Sequence, residues 1–159
     1  MQLLTLGQAV GALLKERRQT IAVSESSAGG LISAALLSVP GASSYFLGGG
    51  VVYTGPARAH VLGLPAELPS DIRSSSEPYA QLCARTIREK LGTDWGLAET
   101  GAAGPTGNRY GDDAGHSCVA IAGPAEAVLT VETRSADREA NMWAFTRAAL
   151  ELLERHLRG

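Results

Sequence analysis

Apolar residues recur at Leu3, Leu6, Val10, Leu13 and Leu14, and the stretch closes on Lys15-Glu16-Arg17-Arg18. That spacing predicts an amphipathic first helix with a charged end. Thr20-Ile21-Ala22-Val23 reads as a short buried strand. Glu25-Ser26-Ser27-Ala28-Gly29-Gly30 then turns the chain into a second helix over Leu31–Leu37, stopped by Pro40-Gly41. Gly48 to Gly50 punctuate the chain ahead of a second predicted strand at Val51-Val52-Tyr53, and a short helix over Arg58–Leu62 follows Pro56. The run from Pro65 to Ser76 has no period and is expected to be a loop.

From Ser76-Glu77-Pro78 the helical period returns with Tyr79, Leu82, Cys83, Ile87 and Leu91, and Gly92 is placed to cap the helix end. Trp95–Ala98 predicts a third strand, which runs into a loop from Thr100 to Asp113. Ser117–Ala122 and Ala127–Thr133 predict a hairpin joined at Gly123-Pro124. A last long helix begins near Ala136, with Met142, Phe145, Ala149, Leu152, Leu153 and Leu157 on one face. Helices alternate with strands early and a hairpin comes late. The expected fold is therefore α/β: a mixed sheet in a three-layer helix–sheet–helix sandwich.

Composition narrows the function classes. The length of 159 residues and an apolar fraction of 45% suit a single domain with a real core. The net charge is −2 and the basic residues are scattered, which argues against a nucleic-acid or membrane surface. The basic residues are nearly all arginine, with lysine only at Lys15 and Lys90. Two separated cysteines, Cys83 and Cys118, make neither a disulfide framework nor a zinc site. With no long apolar run and no charged leader ahead of one, the cytoplasm is the expected compartment.

Four segments carry candidate chemistry. The Glu25–Gly30 turn could offer backbone N–H groups to an anion at a helix start, or simply be a capped helix with small packing residues. Gly41-Ala42-Ser43-Ser44-Tyr45-Phe46 holds a serine near Tyr53 and Arg58, but a serine becomes a nucleophile only if something takes its proton, and His60 is the nearest histidine in sequence. Thr100 to Gly107 leaves a strand end, where open α/β sheets bind ligands; its glycines at 101, 104 and 107 do not make the dinucleotide fingerprint. Asp137-Arg138 opens the last helix, where an arginine can clamp a carboxylate or phosphate or lie in solvent. Asp112 and Asp113 are poor evidence for a metal.

Taken in order, these segments resemble the C-terminal domain of the CinA family. Its pattern is roughly E-S-C-T-G-G, G-S-S-x-[WY]-F-x-x-G-x-V-x-Y, S-E-P, [ST]-G-x-A-G-P and G-D-R. Here it reads as Glu25–Gly30, Gly41–Tyr53, Ser76-Glu77-Pro78, Thr100–Pro105 and Ala136-Asp137-Arg138. The resemblance spans residues 1–159 as one domain, without the family's N-terminal molybdopterin-binding-like domain. It implies hydrolysis of the carboxamide of nicotinamide mononucleotide to nicotinate mononucleotide and ammonia, with no metal or organic cofactor. It implies Ser44 as nucleophile beside Tyr53, with position 58 in proton transfer. Ser26, Gly29, Gly30, Thr100, Gly101, Ala102, Gly104 and Arg138 are implied as the substrate site. A small-molecule nucleotide is the implied partner, and self-association of such domains implies a homo-oligomer.

The departures from the pattern are chemical. The family's lysine is Arg58, its cysteine and threonine are Ser27 and Ala28, and its last glycine is Ala136. Arginine is not a proton acceptor near neutral pH, so Tyr53 or His60 would have to serve. The alternative is a lapsed member that binds a nucleotide or a protein partner without turnover.

Overall fold

The computed structural model describes residues 2–159. Helix α1 (Gln2–Arg17) leads into strand β1 (Ile21–Glu25) and helix α2 (Leu31–Leu37). Strand β2 (Phe46–Val51) is followed by helix α3 (Gly55–Ala57), which continues as a π-helical turn over Arg58–Leu62. Then come α4 (Glu77–Leu91), β3 (Trp95–Ala102), β4 (His116–Ala122), β5 (Ala127–Glu132) and α5 (Arg138–Arg158). The sheet order is β2-β1-β3-β4-β5. β1 runs parallel to β2 and β3, and β4 is antiparallel to both β3 and β5. Helices cover both faces, so the sheet is the middle layer of a sandwich.

Strand alternation explains which helix lies where. Ile21, Val23, Leu97, Val119 and Ile121 point to one face and pack with Val10 and Leu14 of α1, Ile32 and Leu36 of α2, and Ala149 and Leu153 of α5. The intervening residues Ala22, Ala98, Cys118, Ala120 and Ala122 are small, and they meet Tyr79, Ala80, Cys83 and Ile87 of α4. A face of alanines lets one helix come close. A Cβ on Gly96 would stand 2.0 Å from the Ala84 carbonyl oxygen of α4. Because both faces are covered, the central strands read as continuous apolar runs rather than alternating ones.

The helix ends follow their sequence signals. The Ser76 side chain accepts the Tyr79 N–H with Pro78 in the first turn, and Gly92 closes α4 in the left-handed conformation. Asp137 caps α5 by accepting the Ala140 N–H.

Two strand expectations need correction. The second strand lies at Phe46–Val51, not Val51–Tyr53, and runs through the glycines that were expected to precede it. The reason is close approach. Gly49 pairs with Val23 at φ +157, and a Cβ there would lie 1.9 Å from the Val23 carbonyl oxygen. Gly49→Ala is expected to lower unfolding free energy by about 3 kcal/mol or more, through overpacking against fixed backbone. A urea melt with an unchanged midpoint would contradict it. The third strand extends through Ala102, because Thr100, Gly101 and Ala102 pair with Cys118, Ser117 and His116.

This topology gathers chemistry at one edge. The carboxyl ends of β1, β2 and β3 lie together, beside the start of β4, since β3 and β4 are antiparallel. The turns after Glu25 and after Ala102 leave the same edge. The segment Ala42–Ser44 precedes β2 and sits at the opposite edge.

Candidate functional site

A cleft of about 390 Å³ opens at that carboxyl edge. Ser26, Tyr53, Arg58, Thr100 and Gly101 all line it, with Ser75, Tyr79, Arg109 and Tyr110. Ser26 leaves β1 at the cleft floor and is partly exposed. Its backbone N–H is bound 3.0 Å from Glu99 Oε1, while its hydroxyl has no partner among the described residues. The Thr100 hydroxyl accepts the Ser75 N–H at 3.1 Å, which leaves its own proton to donate into the cleft.

Ser44 is elsewhere. It is exposed, and its hydroxyl donates to the Gly41 carbonyl 3.0 Å away within a 3-10 turn. The length of β2 separates it from Tyr53, roughly 20 Å at about 3.3 Å per residue. The expectation that Ser44 and Tyr53 meet is thus overturned: a parallel strand carries its two ends to opposite edges of the sheet. His60 is exposed on the π-helical turn and does not line the cleft.

The Glu25–Gly30 turn also departs from its anion-binding expectation. Glu25 is fully buried and accepts the N–H groups of Gly30, Ile32 and Ser33 at 2.9–3.1 Å, plus the Ser33 hydroxyl. Glu99 accepts the N–H groups of Ser26 and Ala28. The Gly29 N–H goes to the Ser26 carbonyl. Two carboxylates of the chain itself thus occupy the donors that a phosphate would need, and Gly29 and Gly30 do not line the cleft. Ala102 is a sheet residue outside the cleft, and Gly104 contributes a carbonyl that accepts from Arg138.

Glu99 carries no expectation from the sequence pattern, although a charged residue inside the apolar run Leu97–Thr100 is itself a signal. Besides those two N–H groups it accepts hydroxyls from Ser27 and from Ser117, the latter at 2.8 Å. Burial pushes its pKa up against these donors. The Ser117 hydroxyl also lies 3.1 Å from the Thr100 carbonyl, a second acceptor for the same proton.

Arg58 is buried, and each of its three guanidinium nitrogens donates one hydrogen bond. Nε donates to the Tyr79 hydroxyl at 2.9 Å, Nη1 to the Ala66 carbonyl at 2.6 Å and Nη2 to Ser74 Oγ at 2.9 Å. It clamps the 66–74 loop to α4. Arg138, at the start of α5, donates to the Tyr53 hydroxyl at 3.2 Å and to the Gly104 carbonyl, so it bridges the loops after β2 and β3; contrary to expectation it does not itself line the cleft. A second phenol–guanidinium pair faces the same cleft: Arg109 donates to the Tyr110 hydroxyl at 3.0 Å, and this bond lowers the Tyr110 pKa. The signal for this pair was the Asn108-Arg109-Tyr110-Gly111-Asp112 run. Asn108 Oδ1 accepts the N–H groups of Tyr110 and Asp112, which is asparagine turn chemistry. Among the described residues, no three His, Cys, Asp or Glu side chains converge to hold a metal.

His116 braces the cleft from behind. Ser75 lies in the left-handed region at φ +59, uncommon for a non-glycine. Its carbonyl accepts from His116 Nε2 at 2.7 Å, and its N–H is the one held by Thr100. The other ring nitrogen, Nδ1, faces Glu132, while Nε2 also lies 3.6 Å from Asp112 Oδ2. Burial lowers the His116 pKa, but Glu132, the Ser75 carbonyl and Asp112 outweigh it, and the net shift is upward. A raised histidine stabilises the fold fully below 6.5 and loses that contribution as pH rises through its folded value. Glu99 has the same sign, because a raised carboxyl favours the fold while protonated. Melting temperature is therefore expected to fall from about pH 6 to about pH 8, and His116→Gln to flatten the slope. A melting temperature that rises over that range would contradict these assignments.

The model of the CinA C-terminal domain matches residues 4–157. A CinA-like protein of Synechocystis sp. is 38% identical over 154 residues, which cover 97% of this chain and 37% of the relative. A putative competence-damage inducible protein of Moorella thermoacetica is 37% identical, with the same coverages. The chain thus spans little more than a third of these relatives. A CinA superfamily protein of Klebsiella pneumoniae, known by crystal structure, aligns with TM-score 0.91 at 26% identity over 99% of both chains. A competence/damage inducible protein of Agrobacterium tumefaciens aligns with TM-score 0.87 at 25% identity, covering 100% of this chain and 97% of its own.

Proposed function

The chain belongs to the CinA C-terminal domain family, and from that premise we propose that it is a slow amidohydrolase acting on the carboxamide of nicotinamide mononucleotide or a close relative. The observation that carries this reading is the unpartnered Ser26 hydroxyl, in one cleft with Tyr53, Thr100 and Arg58. In this mechanism Ser26 Oγ attacks the carboxamide carbon. The Thr100 hydroxyl donates to the carboxamide oxygen as charge develops there. The C–N bond breaks and the leaving nitrogen takes the proton given up by Ser26, departing as ammonia. Water then cleaves the acyl ester and returns the proton to Ser26.

The transit of that proton sets the rate. Arg58 cannot accept it. The phenols of Tyr53 and Tyr110 are the groups on offer, each receiving a hydrogen bond from an arginine; at Tyr110 that bond favours the ionised form. Arg138 in this reading positions Tyr53 over the cleft.

A second reading, nucleotide binding without turnover, is favoured by the use of all three Arg58 nitrogens in a loop clamp. Ammonia release from nicotinamide mononucleotide separates the two, with binding followed in parallel by calorimetry. Slow release supports the amidohydrolase. Binding with no release over a long incubation supports the second reading.

A further inference from the structure

A second lobe of about 450 Å³ adjoins the cleft. The two share Arg58, Ala66, Ser74, Arg109 and Tyr110, so they lie side by side, with Arg109 and Tyr110 facing both. Three guanidiniums line this lobe, against one carboxylate, Glu67. In a chain of net charge −2 that is a local excess of positive charge.

The three arginines are not equivalent. Arg58 is locked to Tyr79, Ala66 and Ser74. Arg73 makes a two-pronged pair with Asp112 at 2.7 and 3.1 Å, so its charge is answered. Arg109 is exposed and forms no ion pair among the described residues. It stacks on the Tyr110 ring at 5.1 Å and donates one bond to its hydroxyl, which leaves most of its fork open to the lobe. Tyr110 is in turn fixed by the Asn108 turn and by Arg73, 5.3 Å from its ring. A planar fork of donors held on a rigid ring suits a phosphate's oxygens.

We propose that this lobe is a phosphate subsite, in which Arg109 binds the phosphate of a ligand whose other end lies at Ser26. The ligand class is a phosphomonoester or a diphosphate, as in a mononucleotide or a dinucleotide. This deepens the nucleotide reading of the cleft and is tested independently of turnover. Arg109 is also the specificity-determining residue, because it separates phosphorylated ligands from their unphosphorylated forms.

The test is titration calorimetry with inorganic phosphate and with inorganic pyrophosphate, on the natural chain, Arg109→Ala and Arg147→Ala. Arg147 is an exposed arginine on α5 and controls for the loss of one charge. The natural chain and Arg147→Ala are expected to bind alike, and Arg109→Ala about tenfold or more weakly. Tighter binding of pyrophosphate marks a diphosphate ligand; equal binding marks a monoester. Binding unchanged in Arg109→Ala, equal weakening in Arg147→Ala, or no binding of either anion would overturn the subsite. None of these readouts needs ammonia release, so failure of the amidohydrolase reading alone leaves the subsite standing.

Discussion

Arg58→Lys is expected to raise the rate of ammonia release from nicotinamide mononucleotide on the order of 10²-fold, the scale of a general-base contribution. A buried lysine can lose its proton and take that of Ser26; a guanidinium cannot. The gain comes with a loss elsewhere. Arg58 ties Tyr79, Ala66 and Ser74 through three nitrogens, and one ammonium replaces only part of that. The variant should therefore be less stable by roughly 1–3 kcal/mol, the cost of leaving buried partners unmatched. Arg58→Met separates the two effects, since it loosens the loop without supplying a base. A gain in Arg58→Met equal to that in Arg58→Lys would sink the proton-transfer argument.

The second large effect concerns the nucleophile. In the Arg58→Lys background, Ser26→Ala is expected to lower the rate on the order of 10³-fold or more, since in this mechanism the acyl ester forms on Ser26 Oγ. Nucleotide affinity should change only a few-fold, because the Ser26 contact that orders the turn is its backbone N–H to Glu99. Ser44→Ala should leave the rate within about twofold, its hydroxyl serving only a turn at the far edge of the sheet. The reverse pattern, with Ser44→Ala inactive and Ser26→Ala active, would restore the assignment drawn from the sequence.

That reversal of serines shows what sequence could and could not carry. The layers, the Gly92 cap and the starts of α4 and α5 follow from periodicity and local turn residues. The path of β2 is not local. Whether Gly48 to Gly50 break a strand or build one depends on how closely Val23 approaches, and that decides which end of the strand Ser44 occupies. Likewise, Gly29 and Gly30 looked open to a phosphate because Glu25 and Glu99, distant in sequence from each other, were not seen to converge on the turn. Arg58 was legible as a chemical departure, but its three partners belong to α4 and a loop without period. Arg109 and Tyr110 lie in a stretch without period, where Asn108 carries the turn signal.

The measurement that bears most directly on the function is the joint quantification of ammonia and nicotinate mononucleotide after incubation of nicotinamide mononucleotide with the natural chain, Arg58→Lys and Arg58→Lys/Ser26→Ala. Equal amounts of both products are expected, slow from the natural chain, fast from Arg58→Lys and lost with Ser26→Ala. Neither product from the natural chain or from an Arg58→Lys variant that still binds the nucleotide, or product formation indifferent to Ser26, would contradict an amidohydrolase working through this cleft.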